Sequence, residues 1–73
     1  VDVEQVSTDE LHRLIRELPD GYRTVLNLYV FEDMSHREIA RMLNIKESTS
    51  ASQLHYAKQW LAKRIKELNK KRL

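Results

Sequence analysis

Apolar residues in this chain return every three or four positions and never alternate, and its one proline and one glycine, Pro19 and Gly21, sit almost together. That pattern leaves strands nowhere to form and predicts an all-α chain broken at few places. Ser7 with Glu10, three residues on, matches a capping box, and Leu11, Leu14, Ile15 and Leu18 supply one apolar stripe, so a first helix is expected over about 8–18. Pro19 ends it, because proline cannot continue the hydrogen-bond ladder. Asp20-Gly21 opens a second helix to about Glu32, whose apolar residues (Tyr22, Val25, Leu26, Leu28, Tyr29, Val30, Phe31) wrap most of the circumference and predict burial on all sides. Ser35 and Glu38 repeat the capping-box spacing and start a short third helix to about Leu43, with Ile39, Ala40, Met42 and Leu43 facing inward. Asn44 is suited to a left-handed terminating residue, and Ile45 is expected as a buried plug. A fourth helix from about residue 47 to Leu68 has Leu54, Ala57, Leu61, Ile65 and Leu68 as its inward stripe.

Seventy-three residues suffice for one domain with a modest core. The first residue is Val1 rather than Met, which suggests a piece of a longer polypeptide. Residues 1–6 read as a linker remnant, 7–68 as the domain and 69–73 as a basic tail with a frayed end. The absence of cysteine excludes disulfides and thiolate metal sites and suits a reducing cytoplasm. No apolar run approaches the roughly 20 residues that span a bilayer, and no signal-peptide pattern opens the chain. No Gly-rich phosphate loop, nucleophile elbow or paired carboxylates can be found, so no catalytic residue and no cofactor is expected. His12, His36 and His55 lack the spacing and companions of a metal site, and His36 reads as solvated.

A net charge of +2 conceals a strong asymmetry. Asp2, Glu4, Asp9, Glu10, Glu17 and Asp20 outnumber Arg13 and Arg16 in the first 21 residues. From residue 55 on, Lys58, Lys63, Arg64, Lys66, Lys70, Lys71 and Arg72 face Glu67 alone. A polyanion at the basic end fits this layout, as does a simply solvated helix.

Two helices joined by about three residues around Asn44 match the helix-turn-helix, in which the N-terminal part of the second helix reaches base edges in the major groove. At about 100° per residue, Ser48, Ser52, Gln59 and Lys63 lie opposite the core stripe, flanked by Thr49, His55 and Tyr56. Ser and Thr serve several base edges, Gln suits adenine, and the methyl of Ala51 can pack on thymine. The basic second half suits phosphates, which supply affinity without sequence information. Arg23 and Arg37 are further phosphate candidates, with Arg41 on the same side as Arg37. Trp60 lies on the flank of the stripe and reads as partly buried packing.

Leu18-Pro19-Asp20-Gly21-Tyr22-Arg23-Thr24-Val25-Leu26 resembles the Leu-Pro signature that opens region 4 of sigma-70 family initiation factors. Met34-Ser35-His36-Arg37-Glu38-Ile39-Ala40-Arg41-Met42-Leu43-Asn44-Ile45 is similar to that family's L-S-x-x-E-I-A-x-x-L-G-I segment. The run from Glu47 to Lys58 resembles its G-T-V-K-S-R-L-x-R-A-R helix. The spacing suggests the extracytoplasmic-function class, and the likeness covers about residues 9–68.

The resemblance implies a small four-helix domain with a homeodomain-like or winged-helix-like three-helical core. It implies binding to the −35 element of promoters as part of RNA polymerase holoenzyme, contact with the flap of the polymerase β subunit, masking by an anti-sigma factor, and a cytoplasmic monomer. Positions matching Ala51, Ser52, His55 and Tyr56 face bases or backbone in the family, and those matching Ser35 and Thr49 lie near phosphates. Three departures stand out: Ala51, Gln53 and Tyr56 replace the family's common Lys or Arg, so residues 47–57 carry neither. Weak isolated binding and an altered hexamer preference are expected. The family's region 2 has no counterpart here, so this chain is not expected to direct initiation alone.

Two other readings share the motif. A LuxR-type response-regulator output domain would dimerise through its last helix and bind a palindrome. A protein-interaction module would use the surface near Trp60 and the first helix to contact polymerase or an anti-sigma factor.

Overall fold

A computed structural model describes residues 7–71, with the side chain of Lys71 outside the description. All regular structure among these residues is helical: α1 (Thr8–Glu17), α2 (Asp20–Leu26) running into a π-helical turn (Asn27–Phe31), α3 (His36–Leu43) and α4 (Glu47–Lys71). Each boundary has a local cause. The Ser7 hydroxyl accepts the Glu10 N–H at 3.1 Å and starts α1. Leu18, extended ahead of Pro19, ends it. At α3 the box is complete: the Ser35 hydroxyl accepts the Glu38 N–H while the Glu38 carboxylate accepts the Ser35 N–H, each at 3.1 Å. The Glu38 carboxyl is held below the usual carboxylate range, chiefly by the Ser35 N–H, then by the Ser35 hydroxyl, with Arg41 adding to it.

Asn44 stops α3 in the left-handed conformation (φ 56°, ψ 49°). The Asn44 and Ile45 N–H groups both turn back to the Ala40 carbonyl. The chain therefore reverses within three residues and enters α4 at Glu47, giving the helix-turn-helix corner.

The core is a single cluster in which every helix shares. Leu14, Ile15 and Leu18 come from α1 and its end, Val25 and Leu26 from α2, Ile39 from α3, and Leu54, Ala57, Leu61 and Ile65 from α4. Ile39 and Ala57 are wholly inaccessible. Burying an Ile, Leu or Val side chain is worth ~1.5–3 kcal/mol, so this cluster fixes the orientation of α4 about its own axis. Leu11, Tyr22, Leu28, Met34, Leu43, Trp60 and Leu68 pack around it, partly covered.

Four expectations are corrected. The second helix is not buried all round: Tyr29, Val30 and Phe31 are exposed, because the π turn, marked by the Glu32 N–H bonding to the Asn27 carbonyl, turns them off the core face. Met42 points outward and is 61 % exposed, one position beyond the face that α3 presents to the core. Ile45 is only half-buried. α4 continues as helix through Lys71, where a frayed segment was expected after Leu68. The linker remnant expected at residues 1–6 lies outside the described residues. No described helix is long and apolar enough to cross a membrane, and no group of three His, Cys, Asp or Glu side chains among the described residues is placed to hold a metal ion.

Candidate nucleic-acid interface

α4 is one uninterrupted helix of 25 residues. Its inward side is Ser50, Leu54, Ala57, Leu61 and Ile65, all buried. The opposite side is therefore set by the pitch alone. Ser48, Ala51, Ser52, His55, Tyr56, Gln59 and Lys63 are all exposed on it, and Thr49 is half-buried at its edge. On α3, Ser35 and Arg37 are exposed at the start of the helix, and Arg41 lies one turn on.

The structure gathers the first three turns of α4 into a shallow groove. Tyr22, Ser48, Thr49, Ser52, Gln53 and Tyr56 line about 230 Å³ of open space. Tyr56 is held from two sides: its ring lies 6.0 Å from that of Tyr22, and His55 meets it edge-on at 5.6 Å. Gly21 makes this close approach of α2 to α4 feasible. A methyl on Gly21 would stand 3.2 Å from the Gln53 amide oxygen, which is itself buried and without a hydrogen-bond partner.

Charge is distributed around the groove and not inside it. None of its lining residues is charged, while Arg37, Arg41 and Lys46 are exposed on α3 and the turn after it, and Lys58 and Lys63 are exposed further along α4. Lys63 belongs to a cluster with Lys66, Glu67 and Lys70. Glu47 in the first turn suits the positive end of the helix dipole but opposes a nearby phosphate. Arg23 differs from the other candidate cations. It pairs with Asp20 and donates to the Arg16 carbonyl at 3.0 Å, so it ties the start of α2 to the end of α1.

Three residues outside the expected set matter for the site. Tyr22, counted among the core side chains of the second helix, is half-exposed and forms a groove wall. Gln53 lines the floor. His36 is not simply solvated: it is half-buried, stacked on Tyr29 at 4.6 Å, and its Nδ1 lies 2.8 Å from the hydroxyl of the fully buried Ser50. That hydrogen bond fastens the start of α3 to the first turn of α4 and so fixes the two helices against each other. Tyr22, Tyr29, His36 and Ser50 are plain in the sequence, but nothing there pairs residues 14 or 34 positions apart.

At the far end, Arg64 lies over the Trp60 ring at 5.7 Å and pairs with Glu17 at 3.4 Å and Glu67 at 3.6 Å. This clamps the C-terminal half of α4 to α1. Exposed pairs of this kind contribute little individually, and the apolar stripe beneath them carries the packing.

Residues 8–61 match the family described as "Sigma-70, region 4". The chain is 33 % identical over 61 residues to the ECF RNA polymerase sigma factor SigW of Bacillus subtilis (strain 168), a match covering 84 % of this chain and 33 % of that protein. It is 34 % identical over 61 residues to the ECF RNA polymerase sigma factor SigM of the same organism, covering 84 % of this chain and 35 % of SigM. The chain thus spans about a third of the length of these curated relatives. No solved structure matches it significantly. With the Leu-Pro junction, the capped α3 and the long α4 in the order that region requires, the chain belongs to the region 4 family of sigma-70 factors, in the extracytoplasmic-function class.

Proposed function

We propose that this chain binds duplex DNA at the −35 element of promoters, laying the exposed face of α4 in the major groove while α3 lies across the backbone. In this reading it acts in the cytoplasm as a monomer, within RNA polymerase holoenzyme, with the polymerase β flap and an anti-sigma factor as protein partners. One observation carries the reading: the side of α4 that bears Ser48, Ser52, His55, Tyr56, Gln59 and Lys63 is free of the core. Ser48, Ser52, Ala51 and Tyr56 meet base edges; Arg37, Lys63 and the Ser35 and Thr49 hydroxyls meet phosphates. Arg23 takes a supporting place, since two of its donors are already engaged within the chain.

Family membership displaces the response-regulator reading.

The test is a fluorescence anisotropy titration with duplexes selected from a random pool. Ser52→Ala and Tyr56→Ala should change which duplexes are preferred, and Arg37→Gln should weaken all of them alike. If all three variants bind and select like the parent, the face is wrongly assigned.

A further inference from the structure

We propose that the groove lined by the touching Tyr22 and Tyr56 rings is a reader of the thymine C5-methyl group, which makes Tyr22 of α2, outside the helix-turn-helix, a specificity-determining residue. The proposal rests on the DNA-binding reading above and adds to it what the first turns of α4 select.

The strongest major-groove signal in most interfaces is a guanine gripped by a forked Arg or by Lys. From Glu47 to Ala57 this helix has neither. A cation that arrives from Lys46 or Lys58 comes from outside the groove, whose six lining residues are all uncharged. Gln53 is partly buried and its amide oxygen is out of solvent, so it does not present a free amide edge to adenine. What remains to meet a base here is two aromatic rings, the methyl of Thr49 and short hydroxyls. Ring faces and methyls recognise a methyl by contact, and among the four bases only thymine presents one in the major groove. The geometry allows one-sided contact: Tyr56 is half-exposed and its ring is backed by Tyr22 at 6.0 Å, so a methyl rests against the open side of this ring pair, above the groove.

Tyr22 is a positioning residue for Tyr56 as well as a wall. It is partly packed on the core, so Tyr22→Leu keeps apolar bulk there while removing the ring. Tyr56→Ala removes the exposed wall without touching the core.

The experiment measures anisotropy with the chain and its selected duplex, replacing each thymine in turn by deoxyuridine, which deletes the methyl and preserves base pairing. One or two positions should lose affinity about fourfold, the equivalent of ~0.8 kcal/mol for one methyl taken out of water. In Tyr56→Ala and in Tyr22→Leu the same replacements should have no effect, while circular dichroism confirms that both variants are folded. Deoxyuridine that is tolerated at every position by the parent chain overturns the proposal and leaves the DNA-binding reading standing. A methyl effect that persists unchanged in both variants also overturns it, since the methyl is then read elsewhere. Failure of the parent to bind any duplex removes the DNA-binding reading itself, and this inference with it.

Discussion

Lys63 lies about 10 Å beyond Tyr56 along α4, by the rise per residue, exposed on the same outer face, in a cluster whose one carboxylate, Glu67, pairs with Arg64. Its expected partner is a phosphate, and phosphate contacts act mainly by releasing counterions. Each lowers the slope of log K against log salt by about 0.9 on B-form DNA. Extrapolated from 1 M, where such a contact contributes nothing, one contact is worth ~5-fold in affinity at about 150 mM salt and ~15-fold at about 50 mM. Lys63→Gln should therefore bind ~5-fold and ~15-fold more weakly at these two salts, with the slope shallower by about one. The loss should be equal for every duplex, because a phosphate carries no sequence. Lys66 and Lys70 stand beside Lys63 and recover part of the effect if the backbone can reach them, which makes these values upper bounds. The measurement is an anisotropy titration over that salt range with a preferred and a scrambled duplex. An unchanged slope, or a loss confined to the preferred duplex, would refute the assignment of Lys63 to the backbone.

The fold makes further commitments. Ile39→Ala removes a wholly buried side chain from the centre of the cluster and should cost ~2–5 kcal/mol; in so small a domain thermal melting by circular dichroism should fall by tens of degrees or lose its cooperativity, and a shift of only a few degrees would show that the centre lies elsewhere. Asn44→Gly should be neutral or stabilising and Asn44→Val should cost ~1–2 kcal/mol in urea unfolding, because only the β-branched side chain clashes in the left-handed conformation; equal effects would deny that conformation. The lowered Glu38 pKa means that its contribution to stability is full above the ordinary glutamate range and is lost as pH falls through the lowered value. Acid titration of unfolding should show this loss in the parent and not in Glu38→Gln; identical profiles would place the capping carboxylate elsewhere.

Much of this was legible because the determining signals are local. Ser35 and Glu38 lie three apart and cap the same turn they predict. Asn44 needs no partner to adopt its conformation, and the Leu54, Ala57, Leu61, Ile65 stripe follows from pitch alone. A helical wheel fails where the pitch changes, as it does at Asn27–Phe31, so the outward turn of Val30 and Phe31 could not be read from spacing. Met42 shows a milder failure: hydrophobicity alone does not specify burial in a helix with one narrow inner face. The groove depended on tertiary proximity. Tyr22 and Tyr56 are 34 residues apart, and His36 reaches Ser50 across the turn. Ser48, Ser52 and Tyr56 could be assigned to one face from the sequence, but what stands beside them could not.

Because α4 is unbroken, its reading turns and its anchoring turns form a single rod. Adding one residue between Ala57 and Leu61 would rotate one half against the other by about 100°, so that either the anchor leaves its socket or the hydroxyls and rings swing away from the duplex. Side chains along the outer face can therefore be exchanged without disturbing the packing, whereas a change in the residue count from Ser48 to Ile65 turns one half against the other. In a rod of this kind, substitution alters the outer face alone, and insertion or deletion in that span breaks the phase between the two faces.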